Sequence, residues 1–234
     1  MGNTIDVLFA YEPHPVKAQE ITRVGLTPIS TQADGNPLEL EEVHTKDIHL
    51  IIVSEDLSFF AHEHPEKTGK EYTVDFTFPF GCKFLLYCDV KPLNGLPLVI
   101  QKKVDVAGNK RDVQRYQQDV LSRSVDNVSV RLDVQDLSAI RVTIKQGEAV
   151  IPASSLGDYL GAKAHVVMIN VDTKEYLHVH PMVHKDVLVL HSAFTATGLY
   201  RVWIQFLLNG LLYTLDYVVQ VAELPGQGLH GHHH

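Results

Sequence analysis

One stretch of this chain occurs twice. His49 to Pro65 reads HLIIVSEDLSFFAHEHP, and His165 to Pro181 reads HVVMINVDTKEYLHVHP. Aligned without a gap, they agree at His49/His165, Asp56/Asp172, His62/His178, His64/His180 and Pro65/Pro181. Three histidines at identical offsets mark a duplication. The 234 residues are therefore read as two copies of one unit rather than one large domain. The offset is 116 from His49/His165 through Phe84/Tyr200 and 115 from Asn94/Asn209 through Val106/Val221, which is loop drift between two strands.

The repeated unit reads as β-structure. Ile48 to Val53 is short and β-branched, which predicts a strand buried on both faces. Ser54 to Ser58 reads as a turn, and Phe59 to His64 as the returning strand. Tyr72, Val74, Phe76 and Phe78 alternate with Thr73, Asp75 and Thr77, the period of a half-buried strand. Thr4–Ala10, Ile21–Ile29, Phe84–Val90 and Leu98–Val106 complete the first copy, with turns at Asp34-Gly35 and Asn94-Gly95. In the second copy, Val125–Val134 and Ile140–Ile144 read as strands joined by a turn-rich segment to the motif. Val187–Ala193 is expected to pair with Tyr200–Phe206, and Asn209-Gly210 turns the chain into Leu211–Val221. Short strands at roughly 8–12-residue spacing predict an all-β chain of two tandem immunoglobulin-like antiparallel β-sandwiches. The sandwiches occupy residues 1–108 and 125–223. Residues 109–124, charged and Gln-rich, read as a linker in which Val113, Tyr116, Val120 and Leu121 recur at helical spacing, while 224–234 form a His-rich tail outside the fold.

Composition narrows the partners. A net charge of −8 without a basic cluster argues against nucleic acid, and no apolar run reaches the roughly 18 residues of a membrane span. No signal peptide is visible at the N-terminus, an expectation of a cytoplasmic chain if this sequence is complete. Cys82 and Cys88 lie six apart in one expected strand, about 20 Å between α-carbons. That exceeds the reach of a disulfide, so both are expected to be free thiols.

The histidines carry the chemistry. Residues two apart in a strand share a face, so His62 and His64 sit side by side, and folding at Asp56 brings His49 opposite them. The same holds for His165, His178 and His180. Three neutral imidazoles with an open fourth position suit Zn²⁺, Cu²⁺ or Ni²⁺, and copper or zinc is the ion expected. Glu66 and His184 are candidate fourth ligands, neither repeated in the other copy. Asp56 and Asp172 are assigned to the turn, Pro65 and Pro181 to ending the strand, and His14, His44 and His191 to surface or packing. The competing reading is structural: the histidines brace the hairpin, and the sandwich surface serves a protein partner. A bicupin-like metal enzyme ranks third. Its glutamate after H-x-H and its later histidine are not present in both copies, and Glu63 of His62-Glu63-His64 becomes Val179. No G-x-S-x-G, phosphate-cradling glycine loop or H-E-x-x-H motif occurs.

The run from Leu156 to His165, then Leu177-His178-Val179-His180-Pro181 and Gly198 to Phe206, resembles a bacterial group carrying H…D…HxHP…GxYxxWxQF modules, similar to YtkA-like or FixH-like domains. The first copy fits more loosely, with Cys82 at the position of Gly198 and Phe84 at that of Tyr200. The resemblance implies an immunoglobulin-type fold, an extracytoplasmic (periplasmic or secreted) home and handling of copper or other heavy metals. The expected function is thus non-enzymatic transition-metal binding.

Overall fold

The computed structural model describes residues 5–32, 36–191 and 194–224. The predicted Asp34-Gly35 turn and all of the His-rich tail beyond Leu224 lie outside them. The chain divides into two units, residues 1–115 and 116–234.

The first unit contains β1 (Ile5–Glu12), β2 (Ile21–Ser30), β3 (Ile48–Ser54), β4 (Phe60–Glu63), β5 (Glu66–Thr68), β6 (Glu71–Thr77), β7 (Lys83–Val90) and β8 (Leu98–Asp105). They form two antiparallel sheets, β1-β2-β6-β5 and β4-β3-β7-β8. The second unit contains β9 (Ser122–Val125), β10 (Val128–Asp133), β11 (Ile140–Gln146), β12 (Ala149–Val150), β13 (His165–Asn170), β14 (Tyr176–Val179), β15 (Met182–His184), β16 (Val187–Leu190), β17 (Gly198–Leu208) and β18 (Leu211–Val221). Its sheets run β15-β16-β11-β10-β9, with β12 on β11, and β14-β13-β17-β18. Apart from the additions β9 and β12, the two units have the same strand order. Each is an immunoglobulin-like sandwich.

Alternation builds each core. Ile48, Leu50 and Ile52 of β3 meet Phe84, Leu86, Cys88 and Val90 of β7, together with Tyr72 and Phe76 from the other sheet and Phe78 just beyond it. In the second unit Val166 and Met168 of β13 meet Tyr200, Val202, Ile204 and Phe206 of β17. The intervening residues of β3 and β13 are buried as well, as their unbroken apolar runs predict. The Tyr200 hydroxyl lies 2.6 Å from the Glu175 carboxylate and 3.0 Å from the Ala196 carbonyl, the latter the corner contact typical of this fold. Phe84, without a hydroxyl, instead joins a ring cluster with Phe59, Phe78 and Phe80.

Several local expectations give way. Val187–Leu190 pairs with β11 and β15, not with Tyr200–Phe206, because the chain has changed sheets after His180. The expected strand Val125–Val134 is broken by a tight turn at Asp126-Asn127, with Asp126 at φ 52°, which makes β9 and β10 a hairpin. Residues 109–121 contain no helix and no strand, only a bend and an isolated bridge at Val120. Arg111 lies over the Phe80 ring at 3.8 Å and the Gln114 amide donates to Asp56 at 2.9 Å. Tyr116 stacks under Arg201, and Val120 exchanges backbone hydrogen bonds of 2.8 and 3.1 Å with Val218, so the ends of the segment find partners in the unit to which each belongs. Cys82 precedes β7 instead of lying in it, and both cysteines are free thiols. Burial pushes the Cys82 thiol up to about 11.

Candidate metal centre

The β3–β4 hairpin sets the first histidines in place. Its ladder pairs Ile51 with His62 and Leu50 with Glu63, so the next position sets His49 across from His64. His49, Ile51 and His62 project from one face, away from the core that takes Leu50 and Ile52. The turn is held by Ser54, whose hydroxyl accepts from the Ser58 and Phe59 amides at 3.1 and 3.0 Å. Ser54 also donates to Asp56 at 2.6 Å. Burial raises the Asp56 pKa, but hydrogen bonds from Ser54, Ser58 and the Gln114 amide outweigh it and hold the carboxyl below its usual value. In the β13–β14 hairpin Asn170 takes over, accepting from the Asp172 and Thr173 amides at 2.9 and 3.0 Å. The shared turn anchor is therefore Ser54/Asn170, with Asp172 contributing its backbone. β4 and β14 end one residue before His64 and His180. Pro65 and Pro181, both buried, follow where the chain passes to the opposite sheet.

The structure brings the six predicted histidines into two clusters, His49 with His62 and His64, and His165 with His178 and His180. In each, one ring nitrogen per residue lies within 4.8 Å of the others. His49 is 3% exposed and His165 1%. His49 Nδ1 stands 3.1 Å from His62 Nε2. His165 Nδ1 stands 3.3 Å from His178 Nε2 and 3.0 Å from His180 Nε2. The rings of His62 and His64 have centroids 4.5 Å apart, and those of His178 and His180 4.6 Å. The second cluster is walled by two tyrosines: Tyr159 stands edge-on to His165 at 5.4 Å and Tyr176 edge-on to His178 at 6.3 Å. Val43 and Phe60 occupy the matching positions in the first.

Neither candidate fourth ligand joins a cluster. Glu66 and His184 sit on β5 and β15, exposed and in the opposite sheet, because the proline crossover carries them away. His14 and His191 are exposed, and His44 lies in a turn. Glu63 points away from the histidines, as alternation requires, and burial raises its pKa. Val179, its counterpart, packs against the second core.

A raised carboxylate pKa means the folded state holds its proton more tightly than the unfolded chain. Stability from this group is greatest below the unfolded value near 4.3 and declines as pH rises through the folded one. Glu63→Val should therefore raise the melting temperature at pH 7 by a few degrees. The gain should shrink toward pH 4, as thermal melts across pH would show.

Sequence reasoning missed what stands behind the buried histidines. His49 Nε2 lies 2.9 Å from the Val43 carbonyl, and His165 Nε2 lies 3.0 Å from the Tyr159 carbonyl. Both carbonyls belong to two-residue turns, Val43–Lys46 and Tyr159–Ala162, six residues before the histidine in each unit. The turns share no residue identity, so comparison of the copies does not reveal them. Leu160-Gly161 was the one available turn signal.

Fold and site together define a class: tandem immunoglobulin-like sandwiches, each with a three-histidine cluster on its inner-to-edge hairpin. The sequence matches the family described as a domain of unknown function, DUF8832, twice, over residues 13–108 and 123–223, and the chain belongs to that family. None of the curated proteins matches it. Among solved structures, a two-domain fibronectin type III segment of chicken tenascin is 9% identical, with a TM-score of 0.27, covering 92% of this chain and 97% of its own. A structure of carbohydrate-binding modules of the β-sandwich superfamily is 12% identical, with a TM-score of 0.27 and coverages of 92% and 96%. S. aureus TarS is 11% identical, with a TM-score of 0.24 and coverages of 90% and 39%. At these scores the similarities carry no argument about function. No helix among the described residues is long and apolar enough to cross a membrane.

Proposed function

We propose that this protein is a non-enzymatic transition-metal binder that holds one copper or zinc ion in each unit, through His49, His62 and His64 and through His165, His178 and His180. One observation carries the reading. The same three imidazoles converge in both units, with nitrogen separations of 3.1 Å between His49 and His62 and of 3.3 and 3.0 Å from His165 to His178 and His180. Ligands about 2.0–2.1 Å from a tetrahedral zinc are separated by about 3.3 Å, so little movement is needed to accept an ion. Imidazole donors without thiolate suit Zn²⁺ and Cu²⁺. The resemblance to YtkA-like and FixH-like domains points the same way. Because each imidazole must be neutral to ligate, binding weakens in acid.

Isothermal titration tests this, using the full chain with His230, His232, His233 and His234 each changed to alanine. Two equivalents of Cu²⁺ or Zn²⁺ are expected, and none after His62→Ala, His64→Ala, His178→Ala and His180→Ala are combined. Equal binding by both proteins would overturn the assignment. The bracing alternative draws on the same separations, which are also hydrogen-bond lengths. It predicts that added ion leaves the melting temperature unchanged. A site predicts stabilisation of about 2.7 kcal/mol at free ion 100 times Kd.

A further inference from the structure

We propose that the two buried histidines, His49 and His165, ligate through Nδ1, whereas the exposed-side pairs His62/His64 and His178/His180 ligate through Nε2, and that the turn preceding each unit's motif imposes this mixed mode. The inference rests on the metal-binding reading and deepens it.

A carbonyl oxygen only accepts, so the 2.9 Å contact from His49 Nε2 to Val43 and the 3.0 Å contact from His165 Nε2 to Tyr159 require a proton on Nε2. In a neutral imidazole the other nitrogen then carries the lone pair. That nitrogen is Nδ1, the atom 3.1 Å from His62 Nε2 in one unit, and 3.3 and 3.0 Å from His178 and His180 Nε2 in the other. The lone pair therefore points into the cluster before any ion arrives. Pinning the second nitrogen of a ligating histidine fixes its tautomer and ring orientation and raises its basicity.

The carbonyl is itself held. Val43 and Lys46 exchange backbone hydrogen bonds of 2.9 and 3.2 Å around His44 and Thr45, both at positive φ (49° and 64°). Tyr159 and Ala162 exchange 2.8 and 3.1 Å bonds around Leu160 and Gly161, at 48° and 73°. These are the signs of type I′ turns, a conformation that fixes the direction of the first residue's carbonyl. The two turns differ in all four residues yet keep one geometry and one distance to the histidine. A loop that merely covered the ring would not need that agreement.

Gly161 is the handle. Valine is strained at positive φ, whereas asparagine tolerates it. Gly161→Val should lower zinc affinity of the second unit by about 10–100-fold, the cost of losing an outer-shell partner. Gly161→Asn should restore most of it, and the first unit serves as an internal control.

The experiment is long-range ¹H–¹⁵N NMR of histidine-labelled full chain, carrying the four tail substitutions, with and without Zn²⁺, beside calorimetry of the Gly161 variants. Expected are Nδ1 zinc-bound shifts for His49 and His165 with Nε2–H retained, and Nε2 zinc-bound shifts for the other four. Zinc bound through Nε2 of His49 or His165 would overturn the inference while leaving the metal-binding reading intact. Absence of zinc binding would overturn that reading and the inference with it. Unchanged affinity in Gly161→Val would overturn the turn's positioning role. If that variant loses the native Trp203 fluorescence, the ligation mode in the parent protein still decides.

Discussion

Alanine at both His178 and His180 should remove one of two metal equivalents and leave the other at its original affinity. His62→Ala with His64→Ala should do the reciprocal. The expectation follows from each cluster drawing all three donors from one hairpin of one unit. Removing two of three imidazoles should cost more than roughly 100-fold, beyond the 10–100-fold typical of an outer-shell loss. The single tryptophan gives an optical readout of the second site. Trp203 pairs with Val167, which in turn pairs with His178, so two strand spacings, about 10 Å, separate it from His178, and His165 lies on the strand between them. Cu²⁺ loading of the second site should quench Trp203, and the His178/His180 variant should lose that component. Two equivalents persisting in either double variant would show that the ions bind elsewhere.

Asp216→Ala should cause a large loss of stability. Arg201, 4% exposed, donates from Nη1 to Asp216 at 2.9 Å and to the Tyr217 carbonyl at 3.1 Å. Its guanidinium lies 4.6 Å from the Tyr116 ring and 5.1 Å from that of Trp203. Arg123 adds a second contact to the same carboxylate at 3.3 Å. Burial raises the Asp216 pKa, but the charges of Arg201 and Arg123 more than offset it and hold the carboxyl below its usual value. Removing the carboxylate strands a buried cation. The expected cost is about 3 kcal/mol, the lower end for a broken buried pair, since the Asp216 side chain is 42% exposed and water can replace part of the interaction. A depressed acid pKa contributes stability above the unfolded value near 3.9 and loses it as pH falls through the folded value. The gap between parent and Asp216→Ala should therefore narrow below about pH 4. A difference under about 0.5 kcal/mol at pH 7, from denaturant melts, would mean the pair is solvated in solution.

The sequence showed the site more fully than its surroundings. Duplicated offsets and strand periodicity were enough to group His49 with His62 and His64, because hairpin register converts spacing directly into proximity. What it did not show depends on non-local geometry. The sheet change at Pro65 and Pro181 removes Glu66 and His184 from reach, yet nothing in local pattern says to which sheet the next strand will add. That same change defeated the expected pairing of Val187–Ala193. The helical spacing of Val113, Tyr116, Val120 and Leu121 was real but incidental. Tyr116 and Val120 find their partners in Arg201 and Val218, far along the chain. The carbonyls of Val43 and Tyr159 were illegible because a backbone acceptor leaves no mark on residue identity.

X-ray absorption at the zinc edge of protein loaded with two equivalents, with the four tail histidines changed to alanine, reads the ligands of both sites. Three imidazole nitrogens at about 2.0–2.1 Å are expected around the zinc, with the multiple-scattering pattern of histidine rings. A shell of oxygens with no more than one imidazole would contradict the metal-site assignment, leaving two histidine-braced hairpins without a resident metal.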